Sequence, residues 1–280
     1  MDNNFKDKTV IITGGSEGVG AATAKKFARL GANLVLVARN KKNLDAMAEA
    51  LRPLTKVMVV PMDVSDSDAC VSLLRKTQFE FGAVHVLVNN AGYHRRGSVA
   101  NVPAADIGRM IDVNLRAPLV LAALAIPYLK EAGGGAIINV ASLAGRVPLA
   151  GAATYSASKF GLRAFTFALG DELAGSRIKV AAVSPGPIDT GFIMDNIDDV
   201  TDVTFSQPLS TAEQVADEIV KLCVNKQRER SMPPASGFLT TLGYLVPRSM
   251  KMLRPFLIEK GQRVKRKLKA EMRARQAKQD

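Results

Sequence analysis

The sequence is poor in the residues that most often bind metals or form disulfide bonds. It has two cysteines, Cys70 and Cys223, and two histidines, His85 and His94, among 280 residues. The cysteines lie far apart in no metal-ligand spacing, which favours packed thiols over a bridge. Each histidine stands alone, which favours a structural or surface position, although His94 could line the entrance to a site. We therefore predict a protein without a metal site.

The sequence also lacks a hydrophobic run long enough to cross a membrane. The two longest, residues 117–129 and 238–247, fall short of the roughly 20 residues that a spanning helix needs. The first residues are polar and acidic and do not resemble a secretory signal. We expect a cytoplasmic protein whose 47% hydrophobic residues bury one sizeable core.

Net charge is low outside the last 33 residues. The formal charge is +12, but residues 248–280 contain twelve basic and three acidic residues and so carry +9, which leaves +3 for residues 1–247. An argument for an anionic partner therefore concerns the tail alone. Because aromatic residues are not interleaved with the basic ones, we do not expect nucleic-acid binding.

Short apolar, β-branched runs alternate with helix-like segments along most of the chain. The runs lie at residues 9–14, 33–38, 56–62, 84–92, 135–142 and 179–186. Such runs are typical of strands covered on both faces, and strand–helix alternation predicts a parallel sheet between helices. The fold class is therefore α/β, a Rossmann-like doubly wound sheet. We place a catalytic domain at 1–235 and an apolar, then basic, C-terminal extension at 236–280.

A glycine-rich loop, "TGGSEGVG" at 13–20, joins the first predicted strand to a helix. Gly14, Gly18 and Gly20 permit a tight turn, close approach to a pyrophosphate and close helix–strand packing, and the helix N-terminus then faces the phosphates. Turns use glycine in any case, so the loop alone is a weak signal. The strand before it and the helix after it favour a dinucleotide site.

The end of the second predicted strand indicates which dinucleotide is preferred. Sites for NAD carry an acid there, whereas a 2′-phosphate requires an arginine. This strand ends with Ala38 followed by Arg39, which favours NADP(H), with Ser16 as a second donor. Asp63, after the third strand, could accept from the adenine amino group. Alternatively, Arg39 is a solvated residue at the end of a strand, and Asp63 stabilises an ordinary turn.

Tyr155 and Lys159 stand four positions apart in "YSASK". On a helix they would share one face, so the phenol and the ammonium would point the same way. Taken alone, the pair could be a solvated surface contact.

Several separate motifs, in order, make the chain resemble the short-chain dehydrogenase/reductases, here of an NADP-preferring type with a basic C-terminal extension. The resemblance covers roughly residues 6–225. Its motifs are "TGGSEGVG", "NNAG" at 89–92, Asn114 in "DVNL", Ser142 in "NVAS", "YSASK" and "PGPIDT" at 185–190.

The chemistry of ketone reduction explains these residue types. A free tyrosine has a pKa near 10. The ammonium of Lys159 would bring the pKa of Tyr155 closer to neutrality, and Ser142 would hold the carbonyl oxygen against the phenol. The resemblance implies that Lys159 also holds the nicotinamide ribose, and that Asn114 organises a proton-relay water. The residues expected at the cofactor are Gly14, Ser16, Glu17, Gly18, Val19, Gly20, Arg39, Asp63, Asn90, Ala91, Gly92, Tyr155, Lys159, Pro185, Gly186, Ile188 and Thr190.

The segment 191–205, here called the lid segment, follows the nicotinamide motif and reads as a substrate lid. Its apolar residues suggest a hydrophobic, lipid-like ketone, and Arg146 and Phe192 join Ser142 and Tyr155 as candidate substrate residues. The function implied is an NADPH-dependent ketoreductase or alcohol dehydrogenase. A soluble 3-oxoacyl or general carbonyl reductase is the enzymatic alternative. The non-enzymatic alternative is an NADP(H)-sensing binding protein, although such a protein would not need Asn114, Ser142, Tyr155 and Lys159 together.

The tail leaves two interpretations open. Leu257, Val264, Leu268 and Met272 recur at near-helical spacing among basic residues. They could form an amphipathic segment on an anionic membrane, as in the membrane-associated lipid reductases of the family, which the tail resembles. They could instead pack on their own subunit or a neighbour. Apolar surface on the helices at 117–129 and around Tyr155 predicts a homo-oligomer, and the family resemblance implies that this is a homodimer or homotetramer.

Overall fold

Seven strands form one parallel sheet in the computed structural model, which describes residues 5–194, 197–198 and 200–276. They are β1 (Thr9–Thr13), β2 (Asn33–Ala38), β3 (Val57–Pro61), β4 (Val86–Asn89), β5 (Gly135–Val140), β6 (Ile178–Pro185) and β7 (Glu229–Met232). Their order across the sheet is β3-β2-β1-β4-β5-β6-β7. The chain therefore winds outward from β1, returns to the centre at β4 and winds outward again, which is the predicted doubly wound architecture.

Ten helices connect and extend the strands in the described part of the chain. They are α1 (Gly18–Arg29), α2 (Lys41–Leu51), α3 (Ser67–Phe81), α4 (Ala104–Ile111), α5 (Ala117–Glu131), α6 (Ala153–Glu172), α7 (Gly191–Met194), α8 (Ala212–Val224), α9 (Pro234–Leu245) and α10 (Pro247–Gln276). Three short 3-10 turns lie at Val99–Asn101, Leu143–Gly145 and Asp202–Ser206, and a π-helical turn lies at Asp112–Arg116.

Each face of the sheet has its own core, because successive residues of a strand point to opposite faces. Val10 and Ile12 pack with α1 and α8 on one face. Ile11 packs with α3 and α5 on the other. With both faces covered, the site can form only at an edge. Since all seven strands are parallel, the loops after their carboxyl ends gather at one edge of the sheet.

One helical run, Ala104–Glu131, is long and apolar enough by length and composition to cross a membrane. It includes α4, the π-helical turn and α5. Leu121, Ala125 and Leu129 of α5 are buried against the sheet. The core helix of a soluble protein passes the same test of length and composition, and the packing of α5 accounts for its apolar character.

Helix α10 folds back onto the lid segment. Val264, Leu268 and Met272 pack on an apolar cluster there, which consists of Ile193, Ile197, Val200 and Phe205. An ideal Cβ at Gly261 would lie 1.8 Å from the backbone oxygen of Asp202, so the helix backbone itself touches the segment.

Polar contacts add to this packing. The Lys265 ammonium donates to the backbone oxygens of Asp198, at 3.1 Å, and Val200, at 2.7 Å. Lys269 forms an ion pair with Asp198. For Val264, Leu268 and Met272 of the tail, the structure therefore shows packing on their own chain.

Candidate active site

The glycine loop is held tightly at the end of β1. Gly14 has a φ of +65°, which favours glycine, and a Cβ on Gly20 would lie 1.9 Å from the oxygen of Gly14. The amide of Asn90 donates to the backbone oxygens of Thr13, at 2.9 Å, and Gly14, at 3.2 Å. The Thr13 hydroxyl in turn accepts from the backbone N–H groups of Asn90 and Ala91. The loop and the "NNAG" motif therefore form one unit.

The N-terminus of α1 is available to an anion. Glu17 occupies the N-cap position without capping the helix through its side chain, and the first turn contains no acidic residue. The backbone N–H groups that begin at Gly18 and Val19 thus face the space beside the loop, with the helix dipole behind them. Thr190 lies 3.6 Å from the Cβ position of Gly18 and brings the 185–190 motif to the same place. These donors fit a pyrophosphate.

Arg39 and Asp63 lie close together where β2 and β3 end. Arg39 is exposed, as a residue that meets a phosphate from solvent would be. Burial pushes the pKa of Asp63 upward, but two hydrogen bonds from Ser65 and the charge of Arg39 outweigh it, so this pKa lies below its ordinary value. The Asp63 carboxylate stays ionised and holds the turn.

Asn114 lies in the π-helical turn between α4 and α5. Its oxygen accepts from the backbone N–H of Tyr93 and its amide donates to the backbone oxygen of Tyr93, both at 2.7 Å. The same amide lies 3.4 Å from the Ser158 hydroxyl on α6. A π-helical turn often marks a functional position. Here Asn114 ties the segment after β4 to the helix that carries Tyr155.

Tyr155 lies in the first turn of α6 and Ser142 follows β5, and Ser142 is close enough to Tyr155 to lower its pKa. The Ser142 hydroxyl accepts from the backbone N–H of Ala144 at 3.1 Å and lies 3.4 Å from the oxygen of Pro185. Burial raises the pKa of Tyr155, while Ser142 and the charge of Arg96 act in the opposite direction. The phenol is therefore protonated at neutral pH.

Lys159 is buried one helical turn after Tyr155 on α6. The ammonium donates to the backbone oxygen of Val140 at 2.8 Å and lies 5.8 Å from the centre of the Tyr155 ring. Burial lowers the pKa of Lys159 to about 8. The charge of Arg96 also lowers the pKa of Tyr155, and the predicted effect of Lys159 on that pKa stays a prediction.

His94 contributes to the site in a way that the sequence did not reveal. Its ring stacks on that of Tyr155 with centres 4.1 Å apart and planes 14° from parallel. Burial and the charges of Arg96 and Lys159 lower the pKa of His94 to about 3, so the imidazole is neutral. His85 is structural, since its Nδ1 accepts from the backbone N–H of Thr9 at 3.1 Å.

Arg146 belongs to a buried ion-pair cluster, and its position does not support the predicted substrate role. Its guanidinium binds Glu229 of β7, at 2.5 and 3.0 Å, and also Thr241 of α9. Arg163 of α6 binds the same carboxylate, and the Ser184 hydroxyl donates to it at 2.7 Å. The Glu229 cluster, made of Glu229, Arg146, Arg163 and Ser184, therefore joins the Ser142 turn, α6 and β6 behind the site.

The 185–190 motif follows β6 in a fixed path. The backbone N–H of Gly186 donates to Met232 at 2.8 Å, Ile188 pairs with Ser210, and the N–H of Thr190 donates to the oxygen of Ile188 at 2.9 Å. The side chain of Phe192 lies outside the described residues. The sequence suggested a hydrophobic substrate from the apolar residues of the lid segment. The described ones pack on α10 instead, so their apolar character does not indicate the substrate.

Comparison with known proteins decides the family. The family model described as short chain dehydrogenase matches residues 8–201. The chain belongs to the short-chain dehydrogenase/reductases. It is 35% identical over 228 residues to a protein named ketoacyl reductase HetN from Nostoc sp., covering 79% of this chain and 77% of that one. It is 36% identical over 185 residues to an uncharacterized oxidoreductase from Staphylococcus epidermidis, covering 66% and 80% of the two chains.

A solved structure of this family has the same fold. A short-chain type dehydrogenase/reductase from Mycobacterium marinum superposes with a TM-score of 0.76 at 25% identity, over 82% of this chain and 95% of the other. The protein is therefore an oxidoreductase of this family, with a nicotinamide cofactor and a small-molecule substrate. The stretch that follows residue 201 lies outside the family model.

Proposed function

We propose that the protein is an NADPH-dependent ketoreductase in which Tyr155 donates the proton. The observation that carries the proposal is that Tyr155 and Ser142 lie beside each other at the same sheet edge as the glycine loop. A ketone oxygen placed between the two hydroxyls would receive two hydrogen bonds, which stabilise the charge that develops there. Two contacts hold the helix that carries Tyr155: Lys159 donates to the backbone oxygen of Val140, and the Asn114 amide lies 3.4 Å from the Ser158 hydroxyl.

The protonation state of Tyr155 favours reduction over oxidation. A bound nicotinamide would supply the hydride to the carbonyl carbon. Tyr155 then passes its proton to the carbonyl oxygen, so the product is a neutral alcohol and the phenolate regains a proton from water. Because burial keeps the phenol protonated at neutral pH, the acid form that this step needs is the resting form.

Arg39 supports the preference for NADPH over NADH. It follows Ala38 at the position where a carboxylate would otherwise meet the ribose hydroxyl, and it is exposed beside the half-buried Ser16 loop. A guanidinium can bind the 2′-phosphate with two parallel hydrogen bonds.

We propose a ketone with a hydrophobic chain as the substrate. The support is the printed name of the Nostoc relative, a ketoacyl reductase, since a ketoacyl group is a ketone on an acyl chain. The same name supports a second candidate, a reductase of short 3-oxoacyl thioesters. The two candidates share the catalytic residues and differ only in the length of the chain beside the lid segment.

Two further properties belong to the proposal. We propose a homo-oligomer, because α5 and α6 keep half-exposed apolar residues such as Leu124, Phe160 and Phe165. We also propose a cytoplasmic location, because Cys70 and Cys223 are free thiols, as proteins of reducing compartments usually have. Light scattering at micromolar concentration would test the first, and a monomeric mass would contradict it.

Oxidation of NADPH, followed by its absorbance, tests the proposed reaction. The substrates are 3-oxoacyl thioesters of increasing chain length and long-chain ketones, each assayed with NADPH and with NADH. We expect kcat/KM to rise with chain length and to be higher with NADPH. Turnover limited to short thioesters would support the second candidate. Cofactor binding without turnover of any ketone would contradict the proposed reductase activity and favour an NADP(H)-sensing protein.

A further inference from the structure

Helix α9 carries its large apolar residues on its outer face. Phe238 is 71% exposed and Leu245 is 70% exposed, and Leu239 and Leu242 are about half exposed. Positions 238, 239, 242 and 245 lie on one side of a helix. Because these side chains neighbour one another, they form a continuous apolar surface rather than scattered single residues.

The buried face of α9 consists of small residues, namely Ser236, Gly237, Thr240 and Gly243. A Cβ on Gly237 would lie 2.3 Å from the side chain of Ser231 in β7, so the helix packs with its backbone close to the sheet. A surface helix of a soluble domain normally buries its large apolar residues and exposes its small ones. Helix α9 does the reverse, which marks its outer face as a surface that meets another apolar phase.

Basic residues follow this surface directly in the chain. Phe256 of α10 is 66% exposed, and Arg248, Lys251 and Arg254 precede it within eight positions. Further along α10, the side turned away from the lid segment exposes Lys260, Arg263, Arg266 and Lys267. An apolar helix face followed by basic residues is the pattern of a segment that lies in a membrane interface.

We propose that the outer face of α9 docks on an anionic lipid surface. Phe238, Leu242 and Leu245 would enter the interfacial region, and the positive charge of residues 248–280 would attract the head groups. Each basic residue near such a surface strengthens binding about fivefold at moderate salt. This docking does not depend on the reductase activity.

Charge distinguishes a membrane from a second copy of the chain as the occupant. A twofold contact through α9 would join two chains whose residues 248–280 each carry a charge of +9. Like charges repel each other, whereas an anionic bilayer attracts basic segments. Helix α10 is already bound to the lid segment through Lys265 and Lys269, so it cannot turn away to relieve the repulsion without losing those contacts.

Vesicle flotation of the full-length protein tests the proposal. The vesicles are phosphatidylcholine alone or phosphatidylcholine with about 30% phosphatidylglycerol, at about 0.05 M and about 0.5 M salt. The variant combines Phe238→Ser with Leu245→Ser. The matched control is Phe79→Ser, which removes a phenylalanine that is 91% exposed on α3, outside α9 and α10. Thermal melting of each variant shows that it is folded.

We expect binding to the anionic vesicles at low salt and little binding at high salt or to phosphatidylcholine alone. The double variant should bind at least about tenfold more weakly, and the Phe79→Ser control should bind like the wild type. Equal binding by the double variant and the control would overturn the proposal, as would no binding to anionic vesicles. If the double variant instead turns a dimer into a monomer in light scattering without changing flotation, a second copy covers α9 and the proposal is wrong.

Discussion

Replacing Glu229 with glutamine tests whether the Glu229 cluster holds the catalytic helix against the catalytic loop. The substitution keeps the size of the side chain but removes the negative charge that faces Arg146 and Arg163. Arg146 ends the turn that begins at Ser142, and Arg163 lies two turns beyond Tyr155 on α6. Without the carboxylate the two guanidinium groups repel each other, so both elements should loosen together.

The size of the loss follows from burial. The Glu229 side chain is 6% exposed, and breaking a buried pair by removing one partner costs about 3–5 kcal/mol. The Arg163 side chain is 29% exposed and can turn toward solvent, which reduces the cost. We therefore expect the free energy of unfolding to fall by about 2–4 kcal/mol. For a chain of this length, that is a decrease in Tm of roughly 5–10 °C.

The cluster also predicts how stability depends on pH. Burial pushes the pKa of Glu229 upward, but hydrogen bonds from Arg163, Arg146 and Ser184 and the charge of Arg146 outweigh it, so this pKa is below its ordinary value. Its contribution is complete above the unfolded pKa of about 4.3 and is lost as pH falls through the folded pKa. The glutamine variant lacks this contribution, so its stability should change less with pH in that window.

Thermal melting of the wild type, Glu229→Gln and Glu172→Gln provides the assay. Glu172 is an exposed carboxylate on the same helix α6, so its substitution should change Tm by little. Ketone turnover should also fall in Glu229→Gln, because Tyr155 and Ser142 lose their fixed spacing. A Glu229→Gln variant that melts like Glu172→Gln and keeps the acid dependence of the wild type would refute the reasoning.

Three further predictions concern other parts of the site. Replacing Arg39 with alanine should raise KM for NADPH about tenfold to hundredfold and leave KM for NADH nearly unchanged, because only the 2′-phosphate loses a charged partner; equal effects on both would contradict the assignment. Replacing Gly261 with alanine should speed amide hydrogen exchange in residues 200–206, because the new Cβ would lie 1.8 Å from the Asp202 oxygen, whereas Gly108→Ala has open space and should not; unchanged exchange would argue against the contact. Replacing His94 with alanine should lower kcat about tenfold by releasing the Tyr155 ring. The pKa of His94 is about 3, so its imidazole stays neutral during catalysis. An inflection in the pH profile of kcat between about pH 5 and 9 that disappears in this variant would contradict its role as a neutral ring that holds Tyr155.

The sheet was largely predictable, because strands buried on both faces need continuous apolar sequence. Six of the seven strands coincide with the apolar runs. β7 was missed because "ERSM" has a single apolar residue. Glu229 binds Arg146 and Ser231 packs closely against Gly237, so the strand is recognisable only once these distant residues are in place.

The chemistry of the site was less predictable than its residue list, because it depends on contacts between distant parts of the chain. The spacing of Tyr155 and Lys159 identified a shared helix face, but not that the ammonium would bind the oxygen of Val140. Arg146 and Glu229 are 83 positions apart, and no local pattern links them. The apolar residues of the lid segment were taken to indicate a hydrophobic substrate, whereas those that the structure describes pack on α10.

The most direct test of the central claim is ketone-dependent NADPH oxidation by Tyr155→Phe beside Tyr128→Phe. The first substitution removes one hydroxyl from the site, and the second removes one from α5, where Tyr128 packs on the core. Losing the proton donor should lower kcat by a factor of about a hundred or more while NADPH still binds. The Tyr128→Phe variant should turn over like the wild type. Full activity in Tyr155→Phe would contradict the account.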